Sequence, residues 1–260
     1  MTEQDGKVTQ EKGWAVDKGK GREQNEDSVA AVDMSIVDGD AEKSAGIYVV
    51  ADGVGGEEHG EVASSLAVHT FVNNVIQHLT SSSLAIDDDY QSWLQNAVQV
   101  ANQTIYGDSK AMGTTLVATL VIGNTAYIAN VGDSRAYVLT GNGMQQITED
   151  QSLVQVLLRA GAIDAEQAEN HPYRNVLSQA IGSSDEVEPD LYTVDIENDN
   201  YLLLCSDGLT NEVDERTIYD TILRSESPQT ACADLVAKAN QHGGKDNISV
   251  VIVKLTSASQ

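Results

Sequence analysis

The stretch LVATLVIGNTAYIANVGDSRAYVL, residues 116–139, decides the fold class. It contains three short apolar segments, 116–122, 126–131 and 136–139, which are often β-branched and have the length of strands. Gly123 and Asn124 lie between the first two segments and suit a tight turn between antiparallel strands. The stretch therefore predicts an antiparallel meander rather than the strand–helix alternation of a parallel sheet.

Outside this stretch, further segments of the same character predict additional strands at 47–51, 201–205 and 248–255. Apolar residues at helical spacing occur in two pairs of segments, 63–75 with 90–105 and 218–223 with 231–239. Residues 248–255 are apolar at consecutive positions, which indicates a strand buried on both faces, as when one sheet packs on another. The pattern predicts an α+β fold with helix pairs covering packed antiparallel sheets.

The segment from Thr148 to Gln179 departs from this strand pattern. It has helical spacing from Leu153 to Leu158, and the pair Asp164 and Gln167 is typical of a helix N-terminal capping box. We interpret residues 148–179 as a helical flap inserted into a single domain spanning 13–256, and we expect the polar segment 1–12 to be mobile.

The 260 residues carry a formal net charge of −25, which disfavours binding to nucleic acid or to anionic membranes. No apolar run approaches the roughly 20 residues that span a bilayer, and the N-terminal segment lacks the apolar stretch of a signal peptide. Cys205 and Cys232 have no metal-binding or redox spacing, so we expect buried free thiols. A soluble, cytoplasmic monomer is the expectation.

Four aspartates stand at the ends of predicted strands: Asp52, Asp133 and Asp207 follow apolar segments, and Asp246 precedes one. Carboxylates that meet at one edge of a sandwich repel each other, and this repulsion raises their pKa values unless cations neutralise them. Because all these ligands are oxygens, Mg²⁺ or Mn²⁺ is favoured over zinc. Asp38, in a polar Asp-Gly pair between strands, is interpreted as a turn residue only.

Arg22 lies in the acidic segment REQNED, residues 22–27. A guanidinium can fork onto two oxygens of a phosphate group, which makes Arg22 a candidate phosphate ligand. The alternative is a surface ion pair with Glu23 or Glu26, as is common for an arginine among carboxylates. The spacing leaves both interpretations open.

Six short motifs follow one another along the chain: GREQNED at 21–27, VADGVGG at 50–56, MGTT at 112–115, VGDSR at 131–135, CSDGL at 205–209 and GKDN at 244–247. In these motifs and their order, residues 14–254 resemble the bacterial metal-dependent protein phosphatases of the 2C type. The resemblance implies a four-layer αββα sandwich, in which two antiparallel β-sheets lie between helix pairs and the metals bind at one end.

The resemblance also implies roles for single residues. Asp52 would bridge two Mn²⁺ or Mg²⁺ ions, Gly53 would ligate through its carbonyl, and Asp207 and Asp246 would complete the first ion's shell. Asp133 with Asp207 would hold a third ion, and Asp27 would act through metal-bound water. Arg22 would bind the phosphate, so that Arg22, Asp52 and Asp207 are the implied catalytic residues.

The implied reaction is hydrolysis of phosphoserine or phosphothreonine by direct attack of a metal-bridging hydroxide, without a phosphoenzyme. The implied partners are phosphorylated proteins, including a cognate Ser/Thr kinase or its targets. The alternative is a catalytically weak pseudophosphatase that binds phosphoproteins as a regulator. All the metal-binding aspartates of the pattern are present, which favours the enzyme.

One position departs from the family pattern. Many relatives carry a histidine directly after the Asp-Gly-x-Gly-Gly segment, where it can protonate the leaving oxygen, but this chain has Glu57 there. Glu57, His59 or water are the candidate proton donors, and the sequence leaves the three open.

Overall fold

The computed structural model describes residues 8–38, 41–54, 59–81, 89–108 and 112–257. Within these ranges the strands are β1 (Val8–Asp17), β2 (Asp27–Asp38), β3 (Ala41–Val54), β4 (Gly113–Thr114), β5 (Leu116–Ile122), β6 (Thr125–Val131), β7 (Arg135–Thr140), β8 (Gly143–Gln146), β9 (Asp190–Asp195), β10 (Tyr201–Cys205) and β11 (Ile248–Ser257). The helices are α1 (Gly60–Ser81), α2 (Tyr90–Asp108), α3 (Leu153–Arg159), α4 (Ala165–Glu169), α5 (Asp207–Thr210), α6 (Glu215–Arg224) and α7 (Pro228–His242). None of these helices is long and apolar enough to cross a membrane.

The described strands form two sheets in which neighbouring strands run antiparallel. One sheet has the order β1-β11-β10-β7-β8, and the other has the order β2-β3-β5-β6-β9, with β4 paired to the end of β3. Strands β5 and β6 pair from Leu116 opposite Val131 to Ile122 opposite Thr125, across the predicted Gly-Asn turn. The predicted meander is confirmed.

The apolar side chains collect in three layers between and outside the sheets. The first layer lies between the β2-β3-β5-β6 sheet and the helices α1 and α2, and a second lies between the other sheet and α6 and α7. The third is enclosed by the two sheets. Helix pair, sheet, sheet and helix pair are therefore stacked as the predicted four-layer αββα sandwich.

Strand β11 shows why a sheet in the middle of a sandwich needs consecutive apolar residues. Ile248, Val250 and Ile252 face the helical layer, whereas Val251 and Val253 face the opposite sheet. Successive side chains of a strand point to opposite faces, so both faces of this strand are buried. The prediction from the run at 248–255 is confirmed.

The N-terminal strand begins earlier than the predicted domain boundary. Residues 8–17 pair with β11 along its whole length, from Val8 opposite Ser257 to Asp17 opposite Ile248. The polar residues of this segment gave no strand signal, because an edge strand is held by main-chain hydrogen bonds and needs few apolar side chains. Residues 8–12, which the sequence assigned to a mobile tail, therefore form the first half of strand β1.

The flap contains the two predicted short helices, α3 and α4. The Asp164 side chain accepts a hydrogen bond from the Gln167 amide, and the Gln167 side-chain oxygen accepts one from the Asp164 amide, so the predicted capping box is present. The two ends of the flap are joined by main-chain hydrogen bonds from Leu153 to Val176 and from Ser178 to Gln151. These bonds bring residues 175–177, near the C-terminal end of the flap, towards the ends of the strands.

We expect Leu204→Ala to lower the free energy of unfolding by about 2–5 kcal/mol, because the fully buried Leu204 fills the layer between the sheets. Leu223→Ala is the matched control, because Leu223 is 42% exposed on α6 and should cost less than about 1 kcal/mol. Urea unfolding followed by circular dichroism measures both values. Similar losses in the two variants would contradict the layer assignment.

Candidate active site

The predicted aspartates lie at one end of the sandwich because antiparallel strands place the start of one beside the end of the next. Asp27 begins β2 and stands directly opposite Asp52 near the end of β3. Asp133 lies in the turn between β6 and β7, Asp207 follows β10, and Asp246 precedes β11. Asp207 and Asp246 flank the neighbouring strands β10 and β11 of the other sheet, and the turn with Asp133 leads into β7 of that same sheet.

Four of the aspartates line one cavity of about 270 Å³: Asp52, Asp133, Asp207 and Asp246. Arg22, Gly53, Val54 and Thr115 complete its wall from the main body, and the flap contributes Asn175 and Leu177. Asp27 is buried behind this wall rather than among its lining residues. The structure therefore gathers the predicted residues but separates Asp27 from the direct lining.

Two threonines hold the backbone at Asp52. The Thr115 hydroxyl accepts a hydrogen bond from the Asp52 amide at 3.0 Å, and the Thr114 hydroxyl donates to the Asp52 carbonyl at 2.8 Å. The Thr115 amide also donates to the Asp52 carbonyl at 2.8 Å. Because both threonines are buried, these bonds are shielded from water and fix the direction of the Asp52 side chain.

Ser206 connects Asp27 with the segment that carries Asp207. Its buried hydroxyl donates to one Asp27 oxygen at 2.9 Å and accepts from the Ser249 amide at 3.0 Å. Asp207 is the first residue of α5, where the partial positive charge of a helix start favours a carboxylate. Asn211 donates to Asp207 at 3.0 Å from the next turn.

Two glycines of the motifs are required by close backbone contacts. A Cβ atom at Gly208 would lie 1.9 Å from the Asn247 carbonyl oxygen, and one at Gly53 would lie 2.4 Å from the Gly60 carbonyl oxygen. Neither neighbour is a flexible side chain that can move away. Gly208 thus lets the segment of Asp207 approach the segment of Asp246, and Gly53 lets the segment of Asp52 approach the start of α1, more closely than any other residue would allow.

Arg22 reaches the cavity through a contact that the sequence did not predict. Its Nη2 donates to the Asp246 Oδ2 at 2.7 Å, whereas its Nη1 lies 3.9 Å from the Glu26 carboxylate. The main partner of this guanidinium is therefore Asp246, a predicted metal ligand, and not one of the neighbouring glutamates. Because the side chain remains 47% exposed, it stands at the mouth of the cavity.

Burial is the largest cause of the raised pKa values in this cluster of aspartates. It raises the pKa of Asp27 and of Asp133 to about 7 and that of Asp207 to about 6. Burial also raises the pKa of Asp52 well above its ordinary value, and the charges of Asp27 and Asp207 raise it further. The site therefore favours neutral carboxyls when no cation is present and should lose protons when one binds.

The chemistry of the cluster fits divalent cations. One oxygen of Asp27 and one of Asp207 are buried without a hydrogen-bond partner in the described part of the chain, which is costly unless a cation or water completes them. Among the described residues, no three His, Cys, Asp or Glu side chains are placed so that they could hold a metal ion together. Waters would have to supply the remaining ligands, as is usual for Mg²⁺.

A second cleft, of about 550 Å³, shares Arg22 with the cavity. Its other lining residues are Glu23, Gln24, Glu26, His59 and Glu61. His59, one of the candidate acids, lies here rather than in the carboxylate cavity, with its backbone in the left-handed region at φ 95°. Glu57 lies outside the described residues, as does Gly39 of the predicted Asp38 turn.

Sequence reasoning missed several residues of the site. Ser206, Thr115 and Asn247 stand inside the quoted motifs, so their position beside an aspartate was the available signal. Asn175 and Leu177 carried no local signal, because only the return of the flap brings them to the cavity.

Known proteins resemble this chain in sequence and in architecture. Residues 23–238 match the family model of protein phosphatase 2C. The serine/threonine phosphatase stp of Listeria welshimeri is 40% identical over 248 residues, which cover 93% of this chain and 94% of the relative. The crystal structure of the Mycobacterium tuberculosis serine/threonine phosphatase PstP/Ppp superposes with a TM-score of 0.80 at 33% identity, covering 95% of this chain and 99% of that one.

A further solved structure is that of the PstP catalytic domain in complex with 2 manganese ions, with a TM-score of 0.78 at 31% identity over 96% of this chain and all of that one. Fold, motifs and relatives agree on one class, the metal-dependent phosphatases that act on proteins. The chain belongs to the protein phosphatase 2C family.

In metal-free protein, we expect the thermal midpoint to be higher at pH 5 than at pH 8. The folded carboxyls have pKa values of about 6 to 7 against an ordinary 3.8, so the folded chain keeps protons that the unfolded chain has already lost. Its stability therefore falls as the pH rises through this range. The difference should be at least about 3 °C, which corresponds to roughly 1 kcal/mol at this chain length.

Scanning calorimetry of chelator-treated protein measures this difference. Asp133→Asn removes one of the buried acids and should make the difference smaller. Saturating Mn²⁺ should raise the midpoint more at pH 8 than at pH 5, since ligands bind the ion only after losing their protons. A higher midpoint at pH 8 in the metal-free protein would contradict the raised pKa values.

Proposed function

We propose that the chain hydrolyses phosphoserine and phosphothreonine in other proteins by attack of water on phosphorus at a binuclear Mn²⁺ or Mg²⁺ centre. The observation that carries the proposal is the single cavity lined by Asp52, Asp133, Asp207 and Asp246, with Arg22 at its mouth. Four carboxylates repel a phosphate group, so the cavity suits such a substrate only after cations have reversed its potential.

The proposed ligands are those that the family resemblance implies, and all of them except Asp27 line the cavity. Asp52, the Gly53 carbonyl, Asp207 and Asp246 would hold two ions. Asp133 together with Asp207 would hold a third ion, and the buried Asp27 would act through water. When bound, the cations would supply a water that is nucleophilic at neutral pH and positive charge for the phosphate oxygens.

The residues of the chain bind and orient the substrate. Arg22 can fork onto two phosphate oxygens and neutralise charge that develops in the transition state. No Ser, Cys or His lines the cavity among the described residues, and the Thr115 hydroxyl is already hydrogen-bonded to Asp52 and Ser134. The described lining therefore offers no free hydroxyl, thiol or imidazole as a nucleophile, and its carboxylates are the proposed cation ligands, which supports direct attack by water without a phosphoenzyme. Arg22, Asp52 and Asp207 are the proposed catalytic residues.

We further infer phosphorylated proteins as partners, including a cognate Ser/Thr kinase or its targets, and a monomer of one domain as the working form. A cytoplasmic location is supported by Cys205 and Cys232, which are buried free thiols whose pKa values burial raises to about 12. Free thiols are the usual state of cysteine in a reducing compartment.

Mn²⁺-dependent release of phosphate from a phosphothreonine peptide and from an aryl phosphate tests the function. We expect Asp207→Asn to lower kcat/KM by at least about 100-fold for both substrates, because charge stabilisation worth several kcal/mol is lost with the cation. Asp234→Asn, on the exposed face of α7, is the matched control and should retain activity. Activity that survives chelation, or that Asp207→Asn leaves intact, would refute the proposal.

His59→Ala distinguishes among the candidate proton donors. Because His59 lines the neighbouring cleft, we expect it not to protonate the leaving oxygen, so both substrates should slow by the same factor, within about twofold. An aryl phosphate has a good leaving group and needs no acid, whereas the peptide does. A loss confined to the phosphopeptide would make His59 the acid, and His69→Ala on the exposed face of α1 is the control.

A further inference from the structure

We propose that Asn247 is a positioning residue that holds the phosphate-binding Arg22 in register with Asp246. The inference rests on the proposed function, since it assumes that Arg22 binds phosphate. Asn247 does not line the cavity and touches neither substrate nor cation in the proposed mechanism, so it would act only through its neighbours.

The Asn247 side chain is buried and uses its hydrogen-bonding capacity on one loop. Its Nδ2 donates to the carbonyls of Lys18 and Gln24, each at 2.9 Å, and its Oδ1 accepts from the Glu26 amide at 2.8 Å. Both amide hydrogens and the oxygen therefore have partners. All three partners belong to residues 18–26, the segment between β1 and β2 that carries Arg22.

These bonds pin the loop on both sides of Arg22. Lys18 precedes this residue, and Gln24 and Glu26 follow it, so a single side chain closes the loop around the guanidinium-bearing position. The loop is also set against the preceding turn, where the amides of Lys20 and Gly21 donate to the Gly244 carbonyl at 2.6 and 2.9 Å. The loop is thus docked on residues 244–247 along its length.

Asn247 also fixes the other partner of Arg22. Its backbone amide donates to the Asp246 Oδ1 at 2.8 Å, while Oδ2 of the same carboxylate accepts from Arg22 at 2.7 Å. Asn247, the loop, Arg22 and Asp246 therefore form a closed ring of contacts. A change in the loop would shift Arg22 relative to the carboxylate cavity, even though every cavity-lining side chain was intact.

The physical need for such a residue comes from Arg22 itself. An arginine side chain loses rotamer entropy when it is fixed, and this one remains 47% exposed. A loop without regular secondary structure cannot orient it unaided. Catalysis by a positioned group depends on sub-ångström placement. Fixing the conformation of this loop should therefore affect activity more than fixing that of an ordinary surface turn.

Asn102 is a matched control from the same chain. It is equally buried, and its Nδ2 donates to the carbonyls of Ser184 and Asp185 at 3.0 and 3.2 Å. Its Oδ1 accepts from the Gly182 amide at 2.7 Å. Truncation of either asparagine therefore removes three hydrogen bonds of the same kinds, but only Asn247 holds the loop of Arg22.

The experiment compares Asn247→Ala with Asn102→Ala by thermal melting, by the binding of inorganic phosphate to the Mn²⁺-loaded protein, and by hydrogen exchange. Both variants should lose stability. Asn247→Ala alone should weaken phosphate binding and raise KM for an aryl phosphate by at least about fivefold, because Arg22 is no longer pre-oriented. Mn²⁺ affinity, measured by calorimetry, should stay within about threefold, because the proposed carboxylate ligands are unchanged and the Asn247→Ala variant keeps the backbone amide that donates to Asp246.

Hydrogen exchange gives a reading that does not depend on activity. In Asn247→Ala the amides of Lys20, Gly21 and Glu26 should exchange at least about tenfold faster, while those of β11 keep their protection. A double-mutant cycle completes the test: in the Arg22→Ala background, Asn247→Ala should change phosphate affinity by less than about twofold, because both changes then act on one interaction.

Phosphate affinity within twofold of wild type in folded Asn247→Ala would overturn the proposal, as would an undiminished effect in the Arg22→Ala background. If Asn247→Ala does not fold, Asn247→Ser and Asn102→Ser are compared by the same measurements. Should the wild-type protein show no hydrolysis, the proposed function fails, whereas phosphate binding and exchange still decide the role of Asn247.

Discussion

Asp52, Asp133 and Asp207 line one cavity, and the repulsion between their charged carboxylates would drive them apart in a flexible chain. The sandwich opposes this repulsion with three apolar layers that fix the strands from which the carboxylates project. Burying these acids disfavours their charged form and so raises their pKa values. A bound cation would relieve this cost, which favours cation binding at the site. Placing these carboxylates together therefore lowers the stability of the metal-free protein and favours the binding of cations.

The supporting contacts are mostly between side chains and backbone. Thr115 holds the amide of Asp52, Ser206 holds the carboxylate of Asp27, and Asn247 holds the loop of Arg22. Such bonds set the direction of a functional side chain without occupying the cavity itself. The close contact between Gly208 and the Asn247 carbonyl belongs to the same design, because it brings the β10 and β11 ends within reach of one another.

The flap and the body contribute differently to the site. The body supplies the carboxylates from strand ends, where neighbouring main-chain hydrogen bonds limit their movement. The flap supplies Asn175 and Leu177 from a segment held mainly by its two paired ends. Contacts made by the flap therefore depend on fewer hydrogen bonds than those made by the strands.

The sequence by itself determined strands β3, β5, β6, β7, β10 and β11, the helix pairs, the capping box and the aspartates, because periodicity, turn residues and repeated strand-end motifs are local properties. It did not predict β1 from Val8, since an edge strand is held by main-chain pairing that leaves no apolar pattern. Only the tertiary structure decided that Arg22 contacts Asp246 rather than its neighbouring glutamates, that Asp27 lies behind the cavity, and that Asn247 joins the loop to the turn. These contacts join residues more than 170 positions apart, and such distances are decided by how the two sheets pack and not by spacing along the chain.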